Sequence, residues 1–145
     1  MNTSESDARR WYLQAVNDRR FTEWVFREEQ FYDKGCFIAQ QAGGKILKAC
    51  LYAAGNRKVF GHSLLELCIE LTRHTPAFDQ IVEESKRMDR YYIPTRYPNG
   101  LPGGTPFETY SRRDLGEARV DLKKIFAVCE AYLSEHSIQI ADENN

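Results

Sequence analysis

Arg96 is the side chain in this sequence best suited to hold an anion. A guanidinium grips a phosphate through paired, charge-assisted hydrogen bonds. Its surroundings are basic. Between positions 86 and 113 stand Lys86, Arg87, Arg90, Arg96, Arg112 and Arg113 against Asp89 and Glu108, a local excess of +4. The whole chain carries a formal charge of −1, so this is a patch and not a general field. Such a patch is the electrostatic footprint that a nucleotide or an RNA strand needs. Tyr91, Tyr92 and Tyr97 lie within it. A tyrosine ring stacking on a base contributes about 1–3 kcal/mol. The competing reading gives the same residues structural work: charges on a solvated helix face, Arg96 bonded to loop carbonyls or to a helix carboxylate, and tyrosines sealing a loop.

Other candidates are weaker. Gln41 and Lys45 are four apart, hence on one helix face, and would complete a polar site if they met Arg96 in a cleft. Arg57 and His62 stand with four residues between them, an arginine–histidine spacing, but His62 stands directly before a helix start and reads as capping or packing there. His74 falls at a helix end, where a cation suits the dipole. Cys36, Cys50, Cys68 and Cys129 form no CxxC pair and do not stand at zinc spacing from the histidines. All four sit in apolar helical patterns and read as buried free thiols, so no metal and no cofactor is expected. Gly43-Gly44 follows no strand and is not a phosphate loop.

The chain has 145 residues, one domain's length, with 42% hydrophobic and 28% charged residues. No run approaches the ~18 apolar residues of a spanning helix. The first ten residues are polar and do not form a signal peptide. These features point to a cytoplasmic domain with no membrane contact, and leave its role open.

The elements that must position Arg96 are helices. Ala8, Trp11, Tyr12 and Ala15 mark one face of a first helix, ambiguous across the polar run 17–20. A break is expected between Tyr32 and Gly35. A second helix from about Cys36 to Ala54 stops at Gly55-Asn56. Ser63 with Glu66 forms a capping box for a third helix. Thr75-Pro76 opens a fourth helix, which ends before Pro94. Ser111 and Asp114 open the last helix, whose stripe is Leu115, Ala118, Leu122, Ile125 and Cys129. Between the last two lies a long Pro/Gly-rich loop, 93–110, whose aromatic residues should pack it onto the bundle. The expectation is an all-α antiparallel bundle of about five helices over residues 1–138, with a frayed acidic tail, 139–145.

Three blocks of sequence add to this. Residues 36–42 and 45–49, CFIAQQA then KILKA, resemble the second helix of HEPN (higher eukaryotes and prokaryotes nucleotide-binding) domains. Residues 61–67, GHSLLEL, resemble the start of that family's third helix. Residues 89–98, DRYYIPTRYP, resemble its signature before the last helix. The blocks stand in the family's order. The resemblance implies a helical bundle, commonly a homodimer, that binds nucleotides or RNA. It also implies a nucleotidyltransferase-like partner, often in a toxin–antitoxin pair. Some members are metal-independent endoribonucleases that use an arginine followed within a few residues by a histidine.

Arg96 matches that arginine, but no histidine follows it before His136. A metal-free RNA cleavage would use such a ring, since imidazole titrates near neutrality. Gly44 also stands where related proteins usually carry a glutamate. The sequence therefore reads as a nucleotide- or RNA-binding module with site residues Arg96, Tyr97, Arg90, Gln41, Lys45 and Tyr92. A metal-independent endoribonuclease and a non-catalytic interaction domain are the alternatives, and no catalytic residue is assigned.

Overall fold

The computed structural model describes residues 2–141. It is all helical: among these residues there are six α-helices and no strand. They are α1 (Thr3–Glu28), α2 (Tyr32–Ala53), α3 (Leu64–Thr72), α4 (Val82–Met88), α5 (Pro106–Thr109) and α6 (Arg112–Glu135). Short 3-10 turns at Pro76–Ile81, Asp89–Tyr91 and Pro98–Gly100 join them.

α1 runs unbroken through the polar stretch 17–20, where charges meet neighbours on other helices. Asp18 takes Lys45 of α2 at 2.6 Å, and Arg19 lies 4.7 Å over the Phe126 ring of α6. The reversal into α2 comes earlier than the expected break. Glu29 and Phe31 both adopt left-handed backbone, at φ 58° and 59°, and α2 starts at Tyr32. Neither is glycine, so no local signal marks the turn. Gly35, which looks like a breaker, is buried inside α2. A Cβ there would meet Leu115 at 2.9 Å and Val25 at 3.0 Å. The glycine is a notch for two neighbouring helices.

α1 and α2 pack as a hairpin, and α6 lies mainly on α2. The predicted stripes form the core: Tyr12, Ile46, Leu47, Leu51, Leu64, Leu71, Phe78, Leu115 and Leu122 are fully buried. α2 ends where expected, with Gly55 at φ 101° and the Asn56 N–H on Leu51 O. The fourth helix begins as a 3-10 turn behind Thr75 and Pro76, and becomes α-helical only at Val82.

The loop is packed, as its aromatics suggest. The Thr95 side chain is buried and donates to Tyr91 O, and Pro106 is buried in the one-turn α5. Ile138 is buried and Ile140 packs on the core. Tyr12 Oη accepts the Ala141 N–H at 2.9 Å. The segment expected to fray from 139 thus lies against the bundle as far as Ala141; residues 142–145 lie outside the described residues. Among those described, no helix is long and apolar enough to cross a membrane.

Candidate functional site

The position of Arg96 begins with Asp89. Its carboxylate accepts the Ser63 hydroxyl at 2.7 Å and the Leu64 and Leu65 N–H groups at 2.7 and 3.2 Å. An acid at a helix N-terminus satisfies free amides and matches the dipole. Ser63 Oγ in turn accepts the Glu66 N–H at 3.1 Å. The start of α3 is thereby tied to the end of α4, and the chain leaving Asp89 has a fixed origin. Three residues on, the Tyr92 ring stacks on His62, centroids 5.0 Å apart.

Arg96 folds back over this surface. Its Nε donates to Tyr92 O at 2.9 Å. Its guanidinium carbon lies 4.5 Å from the Phe37 ring, 4.6 Å from Tyr92 and 5.1 Å from Tyr97. Rings attract a guanidinium through their negative faces and fix its plane. Among the described residues no carboxylate pairs with Arg96. One nitrogen anchors the loop, and the terminal nitrogens keep their hydrogen-bonding capacity for an anion. The loop-tying use expected of Arg96 is thus present in the bond to Tyr92 O.

The sequence-predicted site divides into three. Arg96, Tyr92 and Tyr97 come together. Arg90 does not join them; it lines an open groove of ≈ 790 Å³ between the 89–91 turn and α6, with Arg87, Arg112 and Arg113. Gln41 and Lys45 form a third location. Gln41 donates to Gln40 Oε1 at 2.8 Å, and the Lys45 charge is spent on Asp18. The α2 residue that reaches Arg96 is Phe37, one turn before Gln41.

Sequence reasoning misses two residues. His62 reads as packing at a helix start; it does pack, but on the ring that Arg96 also covers. Its spacing from Arg96 carries no signal, since the Asp89–Ser63 bond is what brings it there. Phe37 reads as one apolar residue among several. The thiols match their reading: all four are free and buried. Burial pushes the Cys68 thiol up to about 11, and Cys36, Cys50 and Cys129 show no exposure.

The comparisons agree with this architecture. The HEPN domain model matches residues 8–132. The crystal structure of TT1696 from Thermus thermophilus is 36% identical, with a TM-score of 0.81 over 87% of this chain and 98% of that one. The structure of ST0689, described as an archaeal HEPN homologue, is 27% identical, with a TM-score of 0.68 over 90% of this chain and 98% of that one. No curated protein matches. With the family model spanning most of the helical bundle and a structural relative above a third identical, the chain belongs to the HEPN domain family.

Proposed function

We propose that this protein is a nucleotide- or RNA-binding module whose contact centre is Arg96. One observation carries the reading. The Arg96 guanidinium is held by three rings and a backbone carbonyl, with no acidic partner among the described residues. An oriented cation of this kind loses little conformational freedom when an anion arrives. Tyr97 is 49% exposed beside it, a ring available to a base.

The test is thermal unfolding with ATP and with a short single-stranded RNA, in wild type and Arg96→Ala. A ligand at about 100 times its dissociation constant stabilises the folded state by ~2.7 kcal/mol. Stabilisation of wild type that is absent in Arg96→Ala supports the site. Equal stabilisation of both proteins removes it.

A second reading, metal-independent ribonuclease, is favoured by one observation. His62 and Arg96 both pack on the Tyr92 ring, so an imidazole belongs to the same cluster of side chains as the arginine although none follows it closely in sequence. RNA cleavage in EDTA, lost in both Arg96→Ala and His62→Ala, is the result this reading requires. Homodimer formation and a nucleotidyltransferase-family partner belong to the same proposal. The exposed, stacked Phe21 and Trp24 on α1 offer a surface for association. Sedimentation of wild type and Trp24→Glu checks it.

A further inference from the structure

The groove beside the 89–91 turn is a different kind of surface from the Arg96 box. It has arginines on both walls, yet most of their contacts are internal. Arg87 makes a two-point pair with Asp121, at 2.9 and 3.0 Å. Arg113 pairs with Glu117 at 3.2 Å. Each of those charges is matched. Arg112 has only a loose contact with Glu29 at 3.9 Å, and Arg90 has no carboxylate partner among the described residues. Two positive charges therefore face the groove without close compensation.

The rings that line the groove are already engaged within the protein. Phe26 lies 3.9 Å from the guanidinium of Arg112 and 3.9 Å from that of Arg119. Both guanidinium groups lie at stacking distance from that one ring. Arg119 is itself fixed by a two-point pair with Glu23, at 2.6 and 2.9 Å. Tyr91, the other ring of the groove, meets Tyr110 edge to face. Both rings of the groove thus have partners already, whereas Tyr97 beside Arg96 is exposed. Arg90 is set in place by its neighbours: Asp89 is bonded to α3 and Tyr91 is packed, so the backbone between them is fixed.

We propose that this groove is a second phosphate-binding site, built around Arg90 and Arg112, which takes a phosphate group without reading a base. It rests on the nucleotide-binding reading only for the idea that such a ligand arrives; its residues are separate. The phosphate has two sources: the next phosphates of a strand whose nucleotide lies at Arg96, or a free polyphosphate.

The experiment measures dissociation constants for ATP, inorganic tripolyphosphate and a single-stranded RNA 12-mer across a salt series. Wild type is compared with Arg90→Ala, Arg112→Ala, Arg90→Lys and Arg96→Ala. Arg90 is exposed and unpaired, so its replacement leaves the fold intact. If the strand is the source, Arg90→Ala weakens the 12-mer and flattens its salt dependence by about 0.7 in log Kd per log salt, the value for one lost contact to a single strand. Arg90→Lys restores that slope, and ATP binding is unchanged. If free polyphosphate is the source, tripolyphosphate binds and both alanine variants weaken it. Unchanged affinity and slope for all three ligands in both groove variants overturns the proposal. A loss confined to Arg96→Ala overturns the groove and leaves the Arg96 reading standing. A loss confined to the groove variants does the reverse.

Discussion

The carboxylate of Asp89 accepts the backbone N–H of Leu64 at 2.7 Å, across 25 positions of sequence. With its bonds to Ser63 and Leu65 it closes the N-terminus of α3 from outside that helix. Charge-assisted hydrogen bonds to partly buried groups contribute about 1.5–3 kcal/mol each to stability, less when shared by one carboxylate. Asp89→Ala should lower the urea midpoint by an amount worth about 2 kcal/mol. The slope of the transition should stay unchanged. A midpoint equal to wild type would show that water caps α3 as well as Asp89 does.

Adjacent glycines in α2 should respond oppositely to alanine. A Cβ on Gly43 would meet Leu64 Cδ2 at 2.6 Å, and Leu64 is fully buried. Overpacking of this kind costs about 1–3 kcal/mol. A Cβ on Gly44 would meet Leu64 at 3.5 Å, an ordinary contact. Gly44→Ala should therefore stabilise by up to about 1 kcal/mol, the helix-propensity difference. Thermal unfolding of the two variants reads the sign directly, and the same sign in both would refute the packing argument.

Glu23 predicts part of the acid limb of the stability curve. Its hydrogen bond from Arg119 holds its carboxyl below the ordinary carboxylate value, against the opposing effect of burial. A depressed folded value means stabilisation that is complete above the unfolded carboxylate pKa, about 4.3. It is lost as pH falls through the lower folded value. Both side chains are about a third exposed, so the effect is small, about 1 kcal/mol at most. Glu23→Gln should flatten the fall in stability below that pH. An unaltered pH profile would place the acid sensitivity elsewhere.

The four thiols should be inert until the bundle opens. The thiolate is the reactive form, and burial disfavours it. Burial pushes the Cys68 thiol up to about 11, and Cys36 and Cys129 are raised for the same reason. A thiol reagent at pH 8 should titrate no cysteine in native protein and all four in denaturant. A single fast native reaction would identify an exposed thiol that the fold does not contain.

Much of the bundle is legible in the sequence because its signals are local. Apolar spacing marks the buried faces of α2, α3 and α6, and Ser63, Thr75 and Ser111 mark helix starts. The α1–α2 reversal is not legible, since Glu29 and Phe31 adopt a backbone their residue types do not advertise. Gly35 misleads because a glycine that admits a neighbour looks the same in sequence as one that breaks a helix. The site is legible only where it is continuous in the chain, from Tyr92 to Tyr97. His62 and Phe37 reach it through tertiary contacts, and Arg90 turns away from it although it stands only six positions before Arg96. One residue along a tight turn is enough to change the face a side chain occupies.

The seam between the first and last helices joins distant parts of the chain. Tyr12 and Glu130 bond across 118 positions, and Arg119 and Glu23 across 96. The α1–α2 hairpin, by contrast, forms between sequence neighbours. Loop-closure entropy must be met before a remote contact can reward it. The order of assembly follows: the N-terminal hairpin can collapse while its chain is still being made, and the final helix then docks along it. The seam's polar clasps should thus form late, and their removal should speed unfolding more than it slows folding.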